Sequence, residues 1–335
     1  MEEKYFITGA NGHLGVNLVN RLLELGKKVR ILILKGEEYY SFDPKVEVCY
    51  GNVLDKESLK NFLEHDDNTK AIVIHCAGIV SIASKFDQAV YDVNVVGTRN
   101  ITDVAYDLKV DRFIYVSSVH AIKETENNGV IKEVSSFDSN LVEGLYAKTK
   151  AIASQYVLNK AQEVLNASIV HPSGIFGPND YKGGHLTQML IDYANGRLTA
   201  GVKGGYDFVD VRDVVEGIIA CVTKGRSGQC YILSNRYYTV KELFTIFSQV
   251  TNHKLIKTYL PMWFAKITAP IAEVYYKLLN QKPLYTSYSL YTLTSNANFS
   301  HEKASKELGY NPRDLQETIK DTYDWLLSIG RIKNK

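Results

Sequence analysis

Short runs that are apolar on both faces alternate with amphipathic runs through the first half of the chain. The apolar runs are Tyr5 to Thr8, Val29 to Leu34, Val46 to Tyr50, Ala71 to His75 and Phe113 to Val116. A strand with no polar face must be covered on both sides, so these runs predict strands sandwiched between helices. Between them Leu14, Leu18, Leu22 and Leu25 recur every three or four residues and stop at Gly26, predicting a helix closed by a C-terminal glycine. Ser58 to Glu64 and Ala89 to Leu108 fill the next helical slots. Such alternation implies βαβ units and a doubly wound parallel sheet of the α/β class.

Past residue 172 the alternation fails, and glycines and prolines such as Gly174, Gly177, Pro178, Gly204, Gly205, Pro261 and Pro283 break the pattern. This predicts a smaller, mixed C-terminal substrate domain laid over the sheet edge. Residues 1–171 form the dinucleotide-binding domain, with 206–235 returning to it and Phe208 to Val222 supplying a strand and a helix. Residues 172–205 and 236–335 form the substrate domain. The most apolar stretch, Leu260 to Leu279, contains Pro261, Lys266, Pro270, Glu273 and Lys277. That is too interrupted for a span of about 20 apolar residues, so it reads as a lid or substrate-domain helix and no membrane span is expected. An interfacial role would need a basic polar face.

Charge narrows the partners. With 39 Lys plus Arg against 37 Asp plus Glu, the net charge is +2, and the one basic cluster is Arg331 to Lys335. No footprint for nucleic acid results. Cys49, Cys76, Cys221 and Cys230 form no CxxC pair and no metal-ligand spacing with the eight histidines, so no metal is expected and the thiols read as reduced. No signal peptide precedes Tyr5, and a cytoplasmic location is expected. The long helices around Ala89 to Leu108 and Leu145 to Leu165 are candidates to pair in a homodimer.

The chemistry starts at Thr8-Gly9-Ala10-Asn11-Gly12-His13-Leu14-Gly15, between the first strand and the first helix. A dinucleotide pyrophosphate needs bare backbone there. The first glycine allows the tight turn, the second the approach of phosphate, the third close packing of helix on strand. About 20 residues beyond Gly15 stands Lys35, with Glu37 and Glu38 after it. A cation at the end of the second strand attracts a ribose 2′-phosphate, so NADP(H) is favoured and NAD(H) is the alternative. Arg30 starts the same strand, far from that end.

Tyr146 and Lys150 stand four residues apart and share one helix face. A neighbouring ammonium draws a phenol from its usual value near 10 toward the working pH, making it a usable acid and base. The same spacing recurs at Tyr156/Lys160 and Tyr237/Lys241 among 23 tyrosines. Tyr156 lies ten residues further along the helix and points about 80° away, and Tyr237 comes after the alternating half. Tyr146 instead follows the strand Phe113 to Val116 and its terminal Ser117-Ser118, on the edge where open sheets bind ligands. Ser118 there could hold a reacting oxygen or merely cap the strand.

Together these residues resemble the extended short-chain dehydrogenase/reductases of the epimerase/dehydratase type, marked by a TGxxGxxG loop, a strand-end serine, YxxxK and a PxxxxGP turn. All four occur in order, the last as Pro172 to Pro178. Further family marks are His75-Cys-Ala77-Gly78, Asn94-Val-Val-Gly97 and Asp207 to Asp213. The resemblance implies a Rossmann fold. It also implies that Gly9, Asn11, Gly12, His13, Leu14 and Gly15 cradle the pyrophosphate. Asn52 and Val53 would lie beside adenine, Ala77, Gly78 and Asn94 along the cofactor, Lys150 on the nicotinamide ribose and Pro172 near the carboxamide. Asn52 replaces the usual aspartate. Tyr146, Lys150 and Ser118 are the implied catalytic residues.

Within the family the C-terminal half sets the substrate. Tyr206 stands where nucleotide-sugar epimerases usually carry arginine, His171 replaces their asparagine, and Val119-His120 supply no carboxylate of the dehydratase kind. Aromatic and aliphatic residues in Leu260 to Ala265, Tyr275-Tyr276 and Tyr285 to Leu293 suit an apolar ligand. With Asn296 to Phe299 and Leu308 to Pro312, they resemble the dihydroflavonol-reductase and 3β-hydroxysteroid-dehydrogenase branch. The expected activity is reversible hydride transfer between the cofactor and an apolar ketone, aldehyde or alcohol. Val80, Ser81, His120, His171 and Tyr206 are candidates for the substrate wall. A nucleotide-sugar epimerase and a non-catalytic cofactor-binding scaffold are the alternatives.

Overall fold

The computed structural model describes residues 1–81, 85–125, 129–269 and 287–332. Pro270, Glu273, Tyr275, Tyr276, Lys277, Pro283 and Tyr285, and Lys333 and Lys335 of the basic terminus, lie outside the described residues.

The alternating half folds as its periodicity predicts. Seven parallel strands form one sheet in the order β3-β2-β1-β4-β5-β6-β10. They are β1 (Glu2–Thr8), β2 (Lys28–Ile33), β3 (Glu47–Tyr50), β4 (Thr69–His75), β5 (Arg112–Val116), β6 (Ala167–Pro172) and β10 (Cys230–Leu233). The crossover helices are α1 (His13–Glu24), α2 (Lys56–Leu63), α3 (Gln88–Tyr91) and α4 (Thr98–Asp107), then α5 (Leu145–Glu163). A π-helical turn, Asp92–Gly97, joins α3 to α4.

Neighbouring residues on each strand enter opposite cores, as a doubly covered sheet requires. Phe6, Val73, Phe113 and Ile169 pack with Leu59, Val104 and Val157 on one face. Ile7, Ile74, Ile114 and Val170 pack with Leu18, Val214 and Ile218 on the other.

The second layer holds β7 (Gly174–Phe176), β8 (Gly201–Val202), β9 (Gly205–Asp210), β11 (Arg236–Thr239) and β12 (Tyr259–Leu260). Its helices are α6 (His185–Ala194), α8 (Val240–Thr251), α9 (262–269), α10 (Ser287–Thr292) and α12 (Leu315–Ser328), while α7 (Val211–Lys224) and α11 (Glu302–Leu308) pack on the main sheet. A three-stranded sheet runs β11-β9-β7, and β8 pairs with β12. Phe176, Phe208, Phe244, Phe247 and Ile319 form a third core beneath α6, α8 and α12.

One expectation needs correction. The chain does return to the main sheet, but α7 and β10 make the return, whereas β9 stays in the small sheet between β7 and β11. The cause is visible in Asp207, which accepts hydrogen bonds from the Ser173 hydroxyl (2.5 Å) and the Asn235 N–H (2.9 Å), holding β9 between the segments that enter its neighbours. Asp210 then caps α7 by accepting from the Arg212 N–H at 2.7 Å. Among the described residues no helix is long and apolar enough to cross a membrane.

Candidate active site

The C-terminal ends of β1, β4 and β5 and the first turns of α1 and α5 converge on one edge of the main sheet. Gly9 closes β1 at φ +70°, a conformation that favours glycine, and a Cβ there would stand 2.6 Å from the Ala77 nitrogen. At Gly15 a Cβ would be 2.2 Å from the Gly9 oxygen, so helix and turn meet backbone to backbone. At Gly12 it would meet only the Gly9 oxygen, at 3.3 Å, so the outer side of the turn is bare. No side chain caps α1 at Gly12 and no acidic residue enters its first turn. The unpaired N–H groups and positive helix end are therefore free for an anion, and the cradle fits a dinucleotide pyrophosphate.

The side chains of the loop point elsewhere. Asn11 donates to the Glu37 carboxylate (2.9 Å) and Glu38 carbonyl (3.0 Å) and accepts the Tyr40 N–H (2.9 Å), fastening the loop to the segment after β2. The His13 ring bonds the Pro178 carbonyl at 3.0 Å. Lys35 is exposed just past β2 and forms no ion pair among the described residues, whereas Arg30 pairs with Glu47 and donates to the Phe62 and Glu64 carbonyls. Asn52 accepts the Leu54 N–H at 2.9 Å within its own turn, and Val53 is buried against Gly97.

A hydrogen-bonded chain sets the floor of the site. The Thr8 hydroxyl accepts the Ala77 N–H (3.2 Å) and donates to His75 Nδ1 (2.7 Å). Since the Thr98 hydroxyl donates to the Asn94 carbonyl (2.8 Å), it accepts from His75 Nε2 (3.0 Å), which fixes the tautomer. Burial pulls this imidazole down to about 3, and it stays neutral. Asn94 clasps Ile79 through both its N–H (2.8 Å) and carbonyl (3.0 Å) and donates to Thr149 (3.1 Å), joining the 78–79 turn to α5.

Tyr146 and Lys150 lie on the first turns of α5, both buried. Lys150 Nζ donates to the Val116 carbonyl at 2.9 Å and lies 4.9 Å from the centre of the Tyr115 ring. A Cβ on Gly78 would approach Nζ to 3.3 Å, so bare backbone covers the ammonium. Burial lowers Lys150 to about 8. Tyr146 is pushed up to about 12 by burial, against which a hydrogen bond from Ser118 pulls down. The lowering expected from Lys150 is absent here, because desolvation dominates and the ammonium is engaged with Val116 and the Tyr115 face. Ser118 also accepts the His120 N–H at 3.2 Å, capping a single 3₁₀ turn.

Past Ala147 and the His120 ring lies a cavity of about 340 Å³, which Tyr146 itself does not line. His120 and Tyr206 stand in its wall with stacked rings 5.6 Å apart and a 2.9 Å bond between the phenol and His120 Nε2. The His120 ring is edge-on to Tyr146 at 6.1 Å. Burial holds His120 down at about 4. Ile122, Ile131, Leu141, Val142 and Phe299 give the wall its apolar part, and Lys123, Glu124 and Glu143 its charges.

Three of the five candidate wall residues do not line this cavity. Val80 is 71% exposed and, like Ser81, belongs to the outer turn. His171 is sealed, its Nδ1 on the Ser118 carbonyl (2.9 Å) and its ring stacked on Phe137 at 5.3 Å. It braces the serine instead. Pro172 ends β6 beside Leu233. Ile122, Ile131, Leu141 and Glu124 escaped sequence reasoning because they come from irregular segments without periodicity. Phe299 and Asn296 fall in the branch-marking stretch and Tyr291 in the aromatic run Tyr285 to Leu293, and both signals pointed toward the wall.

With this geometry in place, the model of the "NAD dependent epimerase/dehydratase family" matches residues 5–234. Sterol demethylase protein B of Methylococcus capsulatus is 30% identical over 97% of this chain and 99% of its own length. Short-chain dehydrogenase/reductase family 42E member 1 of Homo sapiens is 26% identical over 98% and 88%. Among solved structures, that of gox2253 superposes with a TM-score of 0.84 at 30% identity, covering 98% of this chain and 99% of that one.

Proposed function

The chain belongs to the NAD-dependent epimerase/dehydratase family, as an oxidoreductase of the extended short-chain dehydrogenase/reductase type, and we propose that it interconverts an apolar ketone or aldehyde and its alcohol. Sterols and compounds of similar bulk are the substrates we favour. The observation that carries this reading is the cavity wall that reaches Tyr146 through the edge of the His120 ring. Its apolar side chains are accompanied by two carboxylates and one lysine, and the position of the expected arginine is a tyrosine bonded to histidine. A sugar diphosphate would bring two negative charges into that setting. The name of the sterol demethylase relative points the same way.

In this mechanism the bound nicotinamide supplies or accepts the hydride. Tyr146, protonated through the neutral range, gives its proton to the carbonyl oxygen in reduction and takes it back in oxidation. Ser118 donates to the same oxygen. Lys150 spends one proton on Val116 and turns the others toward the backbone at Gly78, where the cofactor's ribose would lie. Asn94 holds that backbone in place. The exposed Lys35 would meet a 2′-phosphate, so NADP(H) is the preferred form of the cofactor. We assign 1–171 with α7 and β10 to cofactor binding, the segment between β5 and α5 also reaching the substrate, and the small sheet with its helices to the substrate.

Absorbance of NADPH and of NADH, each followed against steroid, flavonoid and aliphatic carbonyls, tests this. Consumption with bulky apolar carbonyls, faster with NADPH, is expected. Turnover of UDP-sugars without that of any carbonyl would overturn the reading.

A further inference from the structure

On the outer side of the substrate layer, α9 turns its large side chains outward. Trp263 is 65% exposed, Phe264 42% and Ile267 63%. Positions 263 and 267 are about 40° apart around a helix and 264 about 100° from 263, so the three share one face. Ala265 and Ala269, on the other side, are buried against Leu290 of α10. An exposed group of this kind on one helix calls for a partner.

Among the described residues, the charges of the segments that adjoin it are of one sign. Residues 196–205 and 252–269 contain no Asp or Glu but carry Arg197, Lys203, Lys254, Lys257 and Lys266. All but Arg197, which reaches Asp192 at 3.8 Å, form no ion pair among the described residues. Pairing of β8 with β12 brings the segments together, because Leu260 opposite Val202 sets Lys203 beside the start of α9. A second copy of the chain is a poor occupant, since a two-fold contact would place these cations against themselves. An anionic lipid surface satisfies both features: the aromatic and aliphatic groups enter the headgroup boundary and the lysines meet phosphate.

We propose that α9 and the β8–β12 ribbon dock the protein on an anionic bilayer surface, lying on it without crossing it. The arrangement suits an apolar substrate, a point that rests on the function proposed above. Leu290, buried against α9, is followed by Tyr291, which borders the cavity and donates to Glu124 at 2.8 Å. The docked helix is thus one side chain away from the substrate wall, and a lipid-dissolved substrate would enter from the surface it rests on.

The test is sedimentation of the full chain with vesicles of phosphatidylcholine alone or mixed with phosphatidylglycerol, without substrate, so that its outcome is independent of the reductase reading. Binding to the mixed vesicles, weakened at high salt, is expected. W263S/I267S should weaken it at least about tenfold, and K203E/K257E/K266E should abolish its salt dependence. These residues are exposed and outside the active site, and an unchanged circular dichroism spectrum confirms that the variants fold. No binding to anionic vesicles, equal binding by W263S/I267S, or a wild-type dimer that W263S/I267S dissociates would overturn the proposal.

Discussion

The edge of the main sheet and the cavity wall, which comes mostly from residues 119–147 with Tyr206, Tyr291, Ser295, Asn296 and Phe299 completing it, adjoin where His120 meets Tyr146, yet they are built on opposite principles. At the sheet edge the groups that matter are backbone and a few short side chains, each over-determined. Gly9, Gly15 and Gly78 leave no room for a Cβ without collision or crowding, and Thr8, His75, Thr98 and Asn94 form an unbroken chain of hydrogen bonds. The wall is made of side chains from distant irregular segments, Ile122, Leu141 and Phe299 among them, held by packing and by single contacts such as that between Tyr206 and His120. The first arrangement fixes a reaction and tolerates little change. The second can vary while the reaction stays the same, which is how one fold serves many substrates.

Tyr146→Phe should break the contrast most visibly. It removes only the acidic proton, so turnover should fall by about 10² to 10⁴-fold while cofactor affinity, read by quenching of intrinsic fluorescence, stays put. A smaller loss of turnover would place the acid elsewhere.

Acid should next separate the two regions by stability. His75, His120 and His171 are held by burial at about 3, 4 and 4, below their usual value near 6.5, and His13 is lowered by burial as well. A depressed folded value means that the unfolded chain binds protons first. Their contribution is therefore present above pH 6.5 and is lost as pH falls toward 4 and 3, at up to about 1.4 kcal/mol per pH unit for each group. His13, His75 and His171 belong to the cofactor side, and His120 stands in the wall. Melting temperature should fall steadily below pH 6.5, and a His75→Asn chain should lose part of that slope. A flat profile from pH 7 to 5 would show these histidines to be accessible to protons.

The mildest change is expected at the wall. Tyr206→Phe deletes one hydroxyl, the partner of His120 Nε2, and keeps the ring stacked. KM for the carbonyl should rise a few-fold, consistent with about 1 kcal/mol for one hydrogen bond, with cofactor binding and kcat little altered. A kcat loss approaching that of Tyr146→Phe would move Tyr206 into the proton-transfer machinery.

The same contrast explains what could be read from the sequence. The strands of the main sheet, the glycine loop, the Asn94 turn and the Tyr146/Lys150 pair are legible because each obeys a short-range rule: a short run apolar on both faces, a period of three to four, or a fixed spacing. His171 was not legible. A histidine before the Pro172 turn can face a ligand or brace the serine beside it, and only the bond to the Ser118 carbonyl decides. The effect of Lys150 on Tyr146 was not legible either, since spacing shows that a cation is near but not how far burial opposes it. Strand β9 went astray for a related reason: its apolar pattern permits either sheet, and the tie from Asp207 to Ser173 and Asn235 selects one.

The central claim is that Tyr146 serves net hydride transfer to an apolar carbonyl. Mass spectrometry of the product formed from a bulky ketone and reduced cofactor deuterated on the hydride-bearing carbon of its nicotinamide tests it directly. One deuterium on the new carbinol carbon is predicted, with an equal amount of oxidised cofactor released. Unlabelled product, or cofactor retained while a sugar nucleotide is epimerised without net oxidation, would contradict it.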